Sequence, residues 1–172
     1  MTREHPLPCA PAQHRIGRGL LTGLLVASLL AGCGGGGGDD PLPVVPNAPP
    51  TFLAARQLWA LMALPAYRFT LATVCFCVPE SAIEVTVRDG QVSSAVYVDT
   101  RAPVSPARLL ALPTLTVLFD LGADAYDRNA AQVTFTPNTR YGFLESIDID
   151  YSVQIADEEI GYRVSGFTVL VP

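Results

Sequence analysis

Cys75 and Cys77 are the residues of this chain best suited to chemistry, and their spacing limits what they can do. One residue apart, they fall on the same side of an extended strand. Two thiols in an oxidising compartment tend to pair. Same-face neighbours in a regular strand, however, hold their sulfurs too far apart for a disulfide, whose Cβ atoms lie about 3.8 Å from each other. A bridge therefore requires a local bend, which Val78-Pro79 just beyond can accompany. So small a ring removes little chain entropy, which makes the bridge a weak and comparatively reducible staple. Three roles stay open: a bridged or buried structural pair, a redox-active dithiol, or half of a tetrahedral metal site. The second group is acidic, with Asp148 and Asp150 at alternate positions and Asp157-Glu158-Glu159 soon after. Carboxylates so placed can bind a cation or share acid–base work. The Asp-x-Asp-x-Asp-Gly pattern of a calcium loop is missing, so a solvated strand face and turn is the expected role.

The remaining composition excludes more than it offers. The 172 residues contain 11 Arg, no Lys, 2 His and 16 Asp+Glu, for a net charge of −5. Without Lys there is neither a Walker-type phosphate loop nor a Schiff base. Both histidines, His5 and His14, precede a segment expected to be removed, which takes Ser-His-Asp catalysis and His-based zinc sites with them. An acidic chain also lacks the basic face that phosphate neutralisation needs, so no nucleic-acid partner is expected. No cofactor and no catalytic residue is expected either.

Residues 1–32 have the layout of a secretion signal. Arg15 and Arg18 precede the apolar run Leu20–Leu30, which is too short to span a bilayer as a helix of roughly 20 residues but fits a signal core. Leu30-Ala31-Gly32-Cys33 resembles the lipobox of bacterial lipoproteins. The resemblance implies cleavage before Cys33 and lipidation of its thiol. Two or more acyl chains then hold the protein on a membrane where a single chain is marginal. In Gram-negative lipoproteins a residue other than Asp after the cysteine, here Gly34, implies the outer membrane, facing the periplasm. Residues 33–50 form a Gly- then Pro-rich linker with no core periodicity, able to reach roughly 55–60 Å when extended. Residues 33–172 carry 8 Arg against 15 Asp+Glu, and residues 51–172 are expected to be one domain.

Within that domain the periodicities alternate between helix and strand. Thr51 is placed to cap a helix over 52–64, with Phe52, Ala55, Trp59 and Met62 along one stripe and Pro65 at its end. Tyr67–Cys77 alternates, as do Ile83, Val85 and Val87, and Asp89-Gly90 is a hairpin signal before Val92, Val96 and Val98. An irregular connection bracketed by Pro103, Pro106 and Pro113 leads to a second helix from about Thr114 to Arg128. Strands follow near 132–136, 143–155 and 160–171. The expected fold is therefore α+β: two α-β-β-β halves in a six-stranded antiparallel sheet with two helices packed on one face. The repeated order, and the echo of Val85-Thr86-Val87 in Val133-Thr134-Phe135, suggest an internal duplication.

Several motifs of this domain resemble a family of small bacterial lipoproteins catalogued only as a domain of unknown function. They are Tyr67-Arg68-Phe69-Thr70, Cys75-Phe76-Cys77-Val78-Pro79-Glu80, Val85-Thr86-Val87-Arg88-Asp89-Gly90, Tyr97-Val98-Asp99, Leu118-Phe119-Asp120 and Ile147-Asp148-Ile149-Asp150-Tyr151. Val78 stands where a second proline is expected. The resemblance implies the fold and the envelope location and adds no active site.

The function expected from these features is a membrane-anchored, non-enzymatic envelope lipoprotein that binds a protein partner. Glu84, Arg88, Tyr97, Asp99, Asp148 and Asp150 are the candidate partner surface on the polar side of the sheet. The alternative is a thiol-redox or metal-handling lipoprotein using Cys75 and Cys77.

Overall fold

The computed structural model describes residues 42–155 and 157–171. The expected signal segment 1–32, Cys33 and the Gly34–Gly38 run lie outside the described residues. No helix among the described residues is long and apolar enough to cross a membrane.

Helix α1 spans Pro50–Met62 and begins earlier than Thr51 would start it. Pro49 occupies the N-cap with no side-chain cap bond, and Pro50 takes the first helical position, where its missing N–H costs nothing and its fixed φ suits the helix. Ala63 ends the helix in the left-handed region at φ 44°. Phe52, Ala55 and Trp59 form the buried stripe. Upstream, Val45 is also buried, and it lines a recess with Leu53, Arg56 and Gln57 of α1. The last part of the expected linker thus packs on the domain, because Val45 gives it apolar area to bury.

Strand β1 covers Ala66–Cys75, β2 Ile83–Arg88 and β3 Gln91–Tyr97. Asp89 and Gly90 both adopt positive φ (48° and 75°), the turn their sequence signals. A short helix α2, Pro106–Leu110, interrupts the connection that was expected to be irregular. Ser105 caps it by accepting from the Arg108 N–H at 3.2 Å, with Pro106 behind it. Helix α3 spans Leu115–Asp127, and the Thr114 hydroxyl accepts from Val117 N–H at its start. Strands β4 (Gln132–Pro137), β5 (Leu144–Asp150) and β6 (Ile160–Val169) complete the chain. β5 stops well short of Ile155, because the Asp150 carboxylate accepts from the Ser152 N–H at 2.8 Å and turns the backbone out of the sheet.

The six strands form one antiparallel sheet in the order β3-β2-β1-β6-β5-β4. Tyr67, Phe69, Leu71, Ile83, Val85, Val87, Ile147 and Ile149 point to the helix side and are buried. There Phe52 meets Phe119, Tyr126 and Phe135 edge-on at 5.2–5.4 Å, and Trp59 packs on Tyr67 at 5.2 Å. Each such aromatic contributes roughly 1.5–3 kcal/mol through burial. Gly122 of α3 lets this happen, since a Cβ there would stand 2.8 Å from the Phe52 ring and 2.9 Å from Ile147 Cδ1.

The α+β architecture agrees with the periodicities, but the sheet order overturns the expected duplication. Two repeats related by a two-fold axis through the sheet would bring corresponding strands together at the centre. Here β1 meets β6, antiparallel, and α1 and α3 pack together on one face. A translation fails as well, because the alternating directions leave β1 and β4 pointing opposite ways. No rotation or translation therefore superposes the two halves.

Candidate functional site

The open face of the sheet carries short polar side chains along its middle. Thr70 lies between Glu84 and Ser165, and Arg163 lies between Ala72 and Ser146, by strand register. The ion pairs of this face stand in two places. Near β2, the Glu84 carboxylate accepts from Arg101 at 3.0 Å, with Arg68 at 3.7 Å. Near β5, the Asp148 carboxylate pairs with Arg163 at 2.8 Å. The floor beneath that pair is Gly161, which faces Asp148 in the register. A Cβ at 161 would collide with the Asp148 carboxylate oxygen.

Asp148 and Asp150 share this face, as their alternation predicts. Together with Val74, Cys75, Phe76, Gln132, Thr134 and Glu159 they line a groove of about 490 Å³ across the strand ends. The groove joins two groups that the sequence separates widely, the cysteine loop and the acidic strand. Among the described residues, no group of three or more His, Cys, Asp or Glu side chains is placed to hold a metal ion.

Cys75 and Cys77 lie at disulfide distance, with Cα atoms 5.2 Å apart. The strand ends at Cys75 and the chain bends at Phe76 and Cys77, as a bridge across a single residue requires. The bend turns Phe76 outward to 83% exposure, and Val78 follows at 88%. On the other side of the bridge a second groove, of about 360 Å³, contains Cys77, Pro79, Glu80 and Arg108. Arg108 holds both Glu80 oxygens, at 2.6 and 3.0 Å through Nη2 and Nε to Oε2 and at 3.1 Å through Nε to Oε1. That bond lowers the Glu80 carboxyl below its usual range.

Two members of the expected partner surface sit elsewhere. Tyr97 faces the helix side, because it pairs with buried Ile83 and not with Glu84. Its hydroxyl donates to Glu80 at 3.2 Å, and partial burial followed by that carboxylate raises the phenol above its ordinary value. Asp99 occupies the turn after β3, where it accepts from Ser81 Oγ at 2.6 Å and from Thr100 N–H at 2.7 Å. The Ser81 bond comes first in lowering its carboxyl below the usual range. Arg88 ends β2 beside the hairpin, away from the groove.

Arg101, Arg108, Arg163 and Gly161 were missed in the sequence. Arg163 and Gly161 carry their meaning only through the β5–β6 register, which alternation alone does not fix. Arg108 did have a local signal: Ser105-Pro106 is a cap followed by the proline that favours a helix start.

No curated protein and no solved structure matches this chain. A family match covers residues 51–169, that is, α1 through β6 with the Cys75 loop and the acidic face included, and by it the chain belongs to the Family of unknown function (DUF6174).

Proposed function

We propose that this chain is a lipid-anchored protein of the bacterial envelope whose domain is a non-enzymatic binding module, taking a protein partner on the open face of its sheet. The anchor rests on the lipobox-like Leu30-Ala31-Gly32-Cys33 alone. The binding role is supported chiefly by one observation. The buried side chains of α1 and α3 pack on the other face of the sheet, leaving the Thr- and Ser-rich face open, and the groove of Asp148, Asp150 and Glu159 opens on it. A photo-crosslinking residue at position 148 in cells tests the binding role. Capture of a defined envelope protein at native expression is the expected result, and recovery of free monomer alone contradicts it. Intact mass of the membrane-extracted protein tests the anchor separately, with a lipidated Cys33 terminus expected.

Thiol–disulfide exchange is the second reading, favoured by the place of the Cys75–Cys77 pair at a strand end, with Cys77 exposed. A partner thiolate would attack one sulfur and release the other as a thiolate. A Cys75→Ser protein that folds normally yet sensitises cells to oxidant would support this reading. The same protein with no phenotype would remove it.

A further inference from the structure

The two edges of the sheet are finished differently. On the β3 side, Pro103 forms a bridge to Val96, Tyr97 N–H donates to Ala102 at 2.9 Å, and Val104 N–H donates to Ala95 at 3.2 Å. The chain itself therefore closes that edge. On the β4 side, no described strand or bridge lies beyond Gln132–Thr136. Half of the backbone N–H and C=O groups of an edge strand point away from its single neighbour. Natural edges are usually blunted by charged side chains, yet Gln132-Val133-Thr134-Phe135-Thr136 has none. Only Pro137, at a register shift, closes one end.

Resting on the binding-module reading above, we propose that β4 is a strand-addition site for an extended cationic polypeptide segment of the partner. The pleat gives such a strand one row of side chains beside Val133 and Phe135 on the helix side, and another beside Gln132 and Thr134 on the open face. Asp148 and Asp150 lie one strand further in, about 9.5 Å from an added strand at two interstrand spacings. Thr134, the register partner of Asp148, is short, so a long Lys or Arg side chain passes over it and meets Asp148, which lines the groove with Gln132, Asp150 and Glu159. The same charges decide against a second copy as occupant. Pairing β4 with β4 would set a second Asp148 and Asp150 about 14 Å away, at three interstrand spacings, and would bring no cation to the groove from the uncharged β4 strand.

The test uses the full chain extracted in detergent and three synthetic peptides: an alternating Lys-Val decapeptide, its Glu-Val counterpart, and a Lys-Val version N-methylated at alternate amides. Hydrogen exchange follows the β4 amides. The Lys-Val peptide is expected to bind and slow exchange across 133–135 at least tenfold, with the other two peptides at least tenfold weaker. Asp148→Asn with Asp150→Asn is expected to weaken the Lys-Val peptide about tenfold, with the far-ultraviolet spectrum reporting that the fold is kept. Equal binding of the N-methylated peptide overturns strand addition, and equal binding of the Glu-Val peptide overturns the charge requirement. Protection of β4 that grows with protein concentration alone assigns the edge to a second copy and overturns the proposal. If no peptide binds while position 148 still crosslinks a defined partner, the β4 site fails and the binding module stands. If crosslinking fails too, both fall.

Discussion

The Asp148 carboxylate lies over Gly161, its register partner across β5 and β6, and there meets Arg163 at 2.8 Å. The missing side chain at 161 keeps the ion pair flat against the sheet and leaves room for the groove beside it. Gly161→Ala is expected to displace Asp148 and not the backbone, because only the free end of an exposed carboxylate must yield. An exposed pair is worth at most about 1 kcal/mol, so urea denaturation should show a change no larger than that. Crystallography of the variant should show the Asp148–Arg163 pair opened.

Gly142→Ala provides the contrast. Gly142 has φ +85°, and a Cβ there would lie 2.6 Å from the Ala55 carbonyl oxygen and 2.7 Å from the Trp59 nitrogen, both backbone atoms of α1. Neither can yield without moving the helix. A loss above about 2 kcal/mol is expected, read as a lower urea midpoint with an unchanged slope.

Burial pushes the Tyr67 phenol from 10.0 up to about 12. The folded state therefore holds this proton more tightly than the unfolded chain does. Its stabilising contribution is complete below pH 10 and is lost as pH rises through 12, about 2 to 3 kcal/mol in all. Glu80 and Asp99 act in the opposite direction. Their lowered carboxyls contribute stability above the usual carboxylate range that is lost as pH falls through it. Denaturant titrations across pH should show a plateau with both flanks, and Tyr67→Phe should reduce the alkaline one, to which the raised phenols of Tyr97, Tyr126, Tyr151 and Tyr162 also contribute.

Much of this fold was legible because it is written in short-range patterns. Trp59 and Phe119 sit at helical spacing, Ile147, Ile149 and Asp148 alternate, and Asp89-Gly90 marks its own turn. What stayed hidden depends on register or on distant contacts. Tyr97 reads as polar-face by its neighbours, yet pairing with Ile83 turns it to the helix side. Arg108 reaches Glu80 from a helix of one turn, too short for periodicity to reveal. The end of β5 was also invisible, since Tyr151, Val153 and Ile155 continue the alternation after the Asp150 turn has ended the strand.

Trp59 is the only tryptophan, and its indole N–H donates to Thr116 Oγ1 at 3.0 Å. Trp59→Phe removes that bond and leaves space beside Tyr67 and Phe143. A loss of about 1–3 kcal/mol is expected by thermal unfolding followed by circular dichroism. Thr116→Val isolates the bond, at about 1 kcal/mol.

Removing the Cys75–Cys77 bridge should cost little. Chain-entropy reasoning for so short a loop gives at most about 1.6 kcal/mol. Cys75→Ser with Cys77→Ser is therefore expected to fold, with a slightly lower urea midpoint. An unfolded double variant would show that the cysteine loop supports far more of the core than its exposed Phe76 indicates.

The most direct measurement of the binding role is photo-crosslinking in living cells from three positions: Thr134 on the edge strand, Asp148 in the groove, and Leu61, which is 71% exposed on α1. The same defined partner captured from 134 and 148, and absent from 61, is the expected outcome. Free monomer from all three positions, or one partner captured only from 61, would contradict a binding module that works through the open face of its sheet.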